Sequence, residues 1–122
     1  SVFNNNNFNT VHGEIVDKNN QIIFYDFKNN NYSRIINDAL MQHEVRTITE
    51  GKAQVTDDGD IFIEESNYGR SLYFDKNGEL LWQHVNRAED TEVFRVAWSR
   101  LIYKEEDIKM IDKLTKKECV DE

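Results

Sequence analysis

Apolar and polar positions alternate along most of the chain, most regularly from Gly51 to Asn86. Two clusters of turn-forming residues interrupt that alternation, Asp57-Asp58-Gly59-Asp60 and Asp75-Lys76-Asn77-Gly78, so the stretch predicts three short antiparallel strands joined by hairpins. Asn77-Gly78 reads as a primed turn, which requires positive φ. The same phrase occurs upstream. A shift of 39 residues lays Val16-Asp17-Lys18-Asn19-Asn20-Gln21-Ile22-Ile23-Phe24 on Val55 to Ile63, and a three-residue gap then places Ser33-Arg34 on Gly69-Arg70. A repeat of about 40 residues built from short strands is the length of one β-propeller blade.

The remaining pattern fills in the first unit and the chain beyond the second. Ser1 to Asn9 is asparagine-rich and reads as a lead-in. Thr10 to Val16 and Gln21 to Phe27 read as strands, Ser33 to Asn37 as a third, and Glu44 to Thr49 as a fourth. Between the last two, Asp38 to Gln42 fits a short helical turn or a loop. Arg87 to Thr91 reads as a charged loop, and Glu92 to Tyr103, EVFRVAWSRLIY, as the most apolar strand of the chain. Trp82 and Trp98 are placed in the core, where an aromatic of that size usually sits. From Lys104 onward Ile108, Ile111 and Leu114 recur at helical spacing, with Glu105, Glu106 and Asp107 ahead and Lys113, Lys116 and Lys117 behind, an arrangement that complements a helix dipole. The expected fold is mainly β: antiparallel meanders of β-propeller blade type forming an incomplete ring, with a C-terminal amphipathic helix. Its units are 8–50, 51–103 and the helix 104–118, in one β-rich domain 1–122.

Composition narrows the partners. At 122 residues the chain is one domain, too short for a complete propeller of at least about four blades, so the remaining blades or further copies of itself are its expected partners. A net charge of -8 repels phosphate-rich polymers, which argues against nucleic acid. No apolar run is long enough for a membrane helix, and the first residues lack the basic and apolar regions of a signal peptide, so the chain reads as soluble with no membrane partner. The lone Cys119 cannot form an internal disulfide.

Most catalytic signatures are missing. His12, His43 and His84 stand at no metal-ligand spacing to one another or to Cys119, so no metal site and no cofactor are expected. The Asp57 to Asp60 cluster lacks the alternating ligands of a calcium loop and reads as turn chemistry. What recurs is arginine: Arg34, Arg70 and Arg100 each follow a Ser or Gly at a strand. Equivalent positions of successive blades point the same way, so the three could converge on an anion; alternatively they are exposed partners for the 23 acidic residues.

Several short motifs are similar to the arylsulfotransferase family. Phe8-Asn9-Thr10-Val11-His12 resembles the family's stretch ending in Gln-His, with Val11 in place of the glutamine. Ile22-Ile23-Phe24-Tyr25-Asp26 resembles the apolar strand leading to its Phe-Asp-Asn-Gly, although Phe27 and Lys28 replace Asn-Gly. Tyr32-Ser33-Arg34 matches the Ser-Arg that comes next, Gly51-Lys52-Ala53-Gln54 resembles Gly-Ser-Ala-Gln, and Gly69-Arg70, Gly78-Glu79 and Trp82 resemble a later blade. The resemblance implies the carboxyl-terminal blades of a six-bladed propeller that passes a sulfuryl group from a phenolic sulfate to another phenol by way of a histidine. Here it implies His12 as nucleophile and Arg34 as the cation beside it, with Arg70 and Arg100 as substrate-binding candidates. The chain supplies one histidine at that blade position, so activity would need further blades, and the isolated chain is expected to be inactive. The charge of -8 supports a different reading as well, an acidic immunity-type or inhibitor-type protein that covers a basic protein partner without catalysis.

Overall fold

The computed structural model describes residues 1–5, 8–9, 14–15, 19–89 and 91–116, the pairs 8–9 and 14–15 by their backbone alone. Two antiparallel sheets dominate. Strand β1 (Val2–Asn4) pairs with β4 (Gln21–Asp26), and β4 with β5 (Asn31–Ile35), while β2 (Phe8–Asn9) and β3 (Glu14–Ile15) form a separate small ladder. After helix α1 (Asn37–Gln42) come β6 (Lys52–Val55), β7 (Ile61–Glu65), β8 (Arg70–Phe74) and β9 (Leu80–Val85), a four-stranded meander in sequential order. The short ladder of β10 (Arg87–Glu89) and β11 (Glu92–Val93) comes next, and the last described element is α2 (Glu105–Thr115). The fold is mainly β, of blade type, with one amphipathic C-terminal helix, as the periodicity required.

The meander has four strands where alternation implied three. The additional break is a single 3-10 turn, Ser66–Tyr68, closed by Gly69 at φ 60. Its Ser66-Asn67-Tyr68-Gly69 is itself turn chemistry, with glycine at the left-handed position, and marks the break that the alternation alone passes over. The two turns that were legible also differ in type. Gly59 N–H donates to Thr56 O at 3.1 Å and Gly78 N–H to Asp75 O at 3.0 Å, and in these turns positive φ is confined to Gly59 and Gly78. Each is an ordinary turn followed by a left-handed glycine, not a primed turn on Asn77-Gly78. Asp75 fixes its turn by accepting the backbone N–H groups of Glu79 (2.8 Å) and Asn77 (2.9 Å), which hold its carboxyl below the usual range.

The internal repeat is regular in space. Ile22 pairs with Ile35 as Ile61 pairs with Phe74, and Asp26 pairs with Asn31 as Glu65 pairs with Arg70, so the shift is 39 at both ends of the hairpin. The three-residue gap disappears, and the counterpart of Arg70 is Asn31, not Arg34. The edge of β4 where the repeat expects Ile15 and Val16 is occupied by β1, with Phe3 opposite Ile22. The N-terminal lead-in is therefore a sheet strand. Most of the expected strand Thr10 to Val16 lies outside the described residues.

One core joins the units. Ile22, Leu40, Val45, Ile61, Ile63, Leu72 and Phe74 are buried together, with Phe3, Phe24, Ile35, Ala53, Val55 and Leu80 packed around them. Burying each of the larger side chains contributes about 1.5–3 kcal/mol. α1 delivers Leu40 to this core.

Three expected features change. Glu44 to Thr49 is not a strand, because side chains take the backbone bonds that a ladder would use. Asn20 accepts from Thr47 N–H at 2.6 Å and donates to Thr47 O at 3.1 Å, Glu65 accepts from Arg46 N–H, and Asn67 Oδ1 accepts from Ile48, Thr49 and Glu50 N–H at 3.0–3.2 Å. The expected strand Glu92 to Tyr103 forms a ladder only at Glu92–Val93, and Arg87–Glu89, read as loop, is its partner. Beyond it the backbone crosses the outer face of the meander: Glu64 accepts from Ser99 N–H, and Gln54 exchanges bonds of 3.1 and 2.9 Å with Leu101. Neither tryptophan is a core residue. Trp98 is 91% exposed, and Trp82, 41% exposed, stacks on Tyr73 at 5.8 Å on that outer face.

Candidate functional site

Sequence reasoning placed four residues at a site: His12, Arg34, Arg70 and Arg100. His12 lies outside the described residues. The other three occupy separate settings.

Arg34 stands on the outer face of the first sheet. Antiparallel register puts it across from Ile23, with Tyr25 and Tyr32 as the next cross-strand pair on the same face. Its guanidinium lies 5.1 Å from the Tyr32 ring centre, and its Nε donates to Gln21 Oε1 at 3.1 Å. Among the described residues no carboxylate pairs with it. Arg34 is therefore a cation beside a phenol ring, on an exposed surface, with its terminal nitrogens available. Such a group can receive the oxygens of an oxyanion while the neighbouring ring receives an aryl plane.

Arg70 is committed elsewhere. It pairs across the hairpin with Glu65, whose side chain is 1% exposed, and donates to the carbonyls of His43 (3.0 Å) and Glu44 (3.1 Å) at the end of α1. Glu65 in turn accepts Arg46 N–H. With Arg46, Glu44, Tyr68 and Val85 the pair lines a cleft of about 320 Å³. Two arginines and two glutamates there largely cancel, and Arg70 acts as a clamp between the meander and α1. Being three residues out of step in the repeat, Arg34 and Arg70 also project from opposite faces of their sheets.

Arg100 lines a third place, an open cleft of about 400 Å³ where Gln54, Tyr103 and Lys104 face Met110 and Ile111 of α2. It makes no hydrogen bond or ion pair among the described residues. Beside it Lys104 lies 3.1 Å from Asp57; that ammonium, with the Tyr103 hydroxyl, holds the Asp57 carboxyl below the usual range, and Asp57 raises Lys104. The structure thus brings none of the three arginines together.

Sequence reasoning missed two buried acids, the Glu65 that holds Arg70 and its neighbour Glu64. Glu64 is 2% exposed and faces outward from β7 opposite Lys52. Burial alone would push its carboxyl up, but the Ser99 and Ser66 hydrogen bonds and the charge of Lys52 outweigh burial and leave it lowered. The only sequence signal for both was a pair of acids ending an otherwise apolar strand, IFIEE. The two described histidines are set apart from the arginine on β5. His84 is exposed on β9, and His43 ends α1 with its ring edge on Phe74. Among the described residues no three metal-ligating side chains gather, and no helix is long and apolar enough to cross a membrane.

Comparison with known proteins adds one finding. A family model described as Arylsulfotransferase (ASST) matches residues 1–87, which include β1 to β9 and all of the meander. No curated protein and no solved structure gives a match.

Proposed function

Because the chain belongs to the arylsulfotransferase family, we propose that it supplies blades to a β-propeller that transfers a sulfuryl group between phenolic compounds when further blades complete the ring. The observation that carries this reading, beyond the family match, is the setting of Arg34: a guanidinium 5.1 Å from a tyrosine ring on an open sheet face. A phenolic sulfate presents a flat ring and a sulfuryl anion, and Arg34 with Tyr32 offers a partner to each.

The chemistry assigned to these residues is a double displacement. The neutral imidazole of His12 attacks sulfur, the bond from sulfur to the phenolic oxygen breaks, and the electron pair leaves with the phenolate. Arg34 steadies the charge that grows on the sulfuryl oxygens. An acceptor phenol then attacks the same sulfur, the sulfur–nitrogen bond breaks with its electron pair returning to the imidazole, and the acceptor's proton passes to the phenolate released first, so His12 is regenerated neutral. Arg100 is a candidate for binding substrate from a separate cleft, while Arg70 contributes by holding α1 to the meander.

The test is a mass measurement. In a ring completed by further blades, a phenolic sulfate should leave one sulfuryl group on His12, and an acceptor phenol should remove it. His12→Ala should abolish the adduct, and Arg34→Ala should slow its formation by an amount equivalent to about 2–4 kcal/mol of barrier. The chain by itself should form none. An adduct on His43 or His84, or phenolate release unaffected by His12→Ala, would refute the assignment.

A further inference from the structure

The repeat leaves the first unit one strand short. In the second unit β9 completes the sheet beside β8, with Arg70 opposite Val85 and Leu72 opposite Gln83. The counterparts of Arg70 and Leu72 at the 39-residue shift are Asn31 and Ser33 on β5. The residues that would face them, Met41 to Arg46, are instead the end of α1 and the segment whose backbone is bonded to Asn20 and Glu65. Among the described residues strand β5 is consequently the outer edge of its sheet, and Asn31 to Arg34 are all exposed.

Open edges are normally guarded by proline, lysine, a bulge or a covering loop, because their free N–H and C=O groups accept another strand. β5 reads NYSRI, with no proline or lysine, and its ladder with β4 has no register shift. The Tyr32 N–H is met by the side chain of Asn31, at 2.8 Å, a bond that a backbone carbonyl can replace. No acidic residue lies in the strand, although the chain carries -8 overall.

We infer that β5 pairs with β5 of a second copy, antiparallel about a twofold axis at Ser33, so that the two three-stranded sheets join edge to edge. The register is self-complementary, as a twofold interface requires. Ser33 meets Ser33 at the axis, and Tyr32 of each copy faces Arg34 of the other, extending the ring-cation contact already present within each chain. No like charges stand opposite one another. The two bodies, each strongly acidic, repel at distance, so the pairing is weak in dilute buffer and tightens with salt. The pairing draws on Tyr32 and Arg34, the residues also assigned to sulfuryl transfer, but it rests on the strand edge and is read out by association alone, so either reading can fail without the other.

Sedimentation velocity across a wide concentration range tests it. The wild-type chain should pass from a 14.5 kDa monomer to a dimer, with the dimer favoured by added salt. Ser33→Lys and Ser33→Asp each set like charges about 4.5–5.5 Å apart across the axis and should raise the dimer dissociation constant about tenfold or more, whereas an equimolar mixture of the two should restore it. Amide exchange at Tyr32 and Arg34 of the wild type should slow as concentration rises, a readout that needs no variant. A chain that stays monomeric throughout, a dimer untouched by Ser33→Lys, or a mixture that fails to reassociate would overturn the pairing.

Discussion

Replacing Arg70 by alanine strands the Glu65 carboxylate. That side chain is 1% exposed, its ion-pair partner 23% exposed, and the same guanidinium holds the carbonyls of His43 and Glu44. Cutting one partner from a buried pair costs about 3–5 kcal/mol, and each lost hydrogen bond to a carbonyl about 1 kcal/mol more. Water reaching the vacated, partly open position offsets some of this, so we expect a loss of about 3–4 kcal/mol out of a total stability of about 5–15 kcal/mol. Urea denaturation followed by far-UV circular dichroism measures it. Arg70→Met combined with Glu65→Gln removes both charges and should be less destabilised than Arg70→Ala, because no uncompensated charge remains. If Arg70→Ala costs less than about 1 kcal/mol, the pair behaves as an exposed one and the clamp is refuted.

Other changes probe the turns, the linking segment and the outer face. Gly78→Val puts a branched side chain at φ 92 with its Cβ 3.0 Å from that of Ala39, and thermal denaturation should register a loss of about 1–3 kcal/mol. Asn67→Ala leaves the backbone N–H groups of Ile48, Thr49 and Glu50 and the hydroxyl of Thr47 without their shared acceptor, so amide exchange should rise across Ile48 to Glu50 before the meander is affected, while the Thr47 amide stays held by Asn20. Glu64 is held as a carboxylate below its ordinary pKa, so its contribution to stability is complete above that value and is lost as pH falls through the lowered one. Glu64→Gln should flatten that acid limb, and a limb of unchanged slope would show that Glu64 does not anchor Ser99. Trp82→Ala removes the stack on Tyr73 and the contact with Phe62, and urea denaturation should register a loss of about 1–2 kcal/mol.

Local information was sufficient wherever one stretch of chain chose its own conformation. Alternation with glycine-bearing turns determined the strands flanking Asp57–Asp60 and Asp75–Gly78, β-branched and aromatic residues determined β4, and helical spacing with graded charge determined α2. The 39-residue repeat and the resemblance to the arylsulfotransferase family were likewise legible in the residues. Other features depended on partners distant in sequence. Glu44 to Thr49 has the composition of a strand, yet Asn20, Glu65 and Asn67 claim its hydrogen bonds, and only the fold brings those side chains to it. Arg34, Arg70 and Arg100 look alike beside Ser or Gly, but cross-strand register gives Arg70 a buried carboxylate and leaves Arg34 beside a phenol ring. Trp98 looked like core, and the bonds of Glu64 and Gln54 to the neighbouring backbone turn it outward. A residue's type states which interactions it can make; the register of strands far apart in the chain decides which of them are within reach.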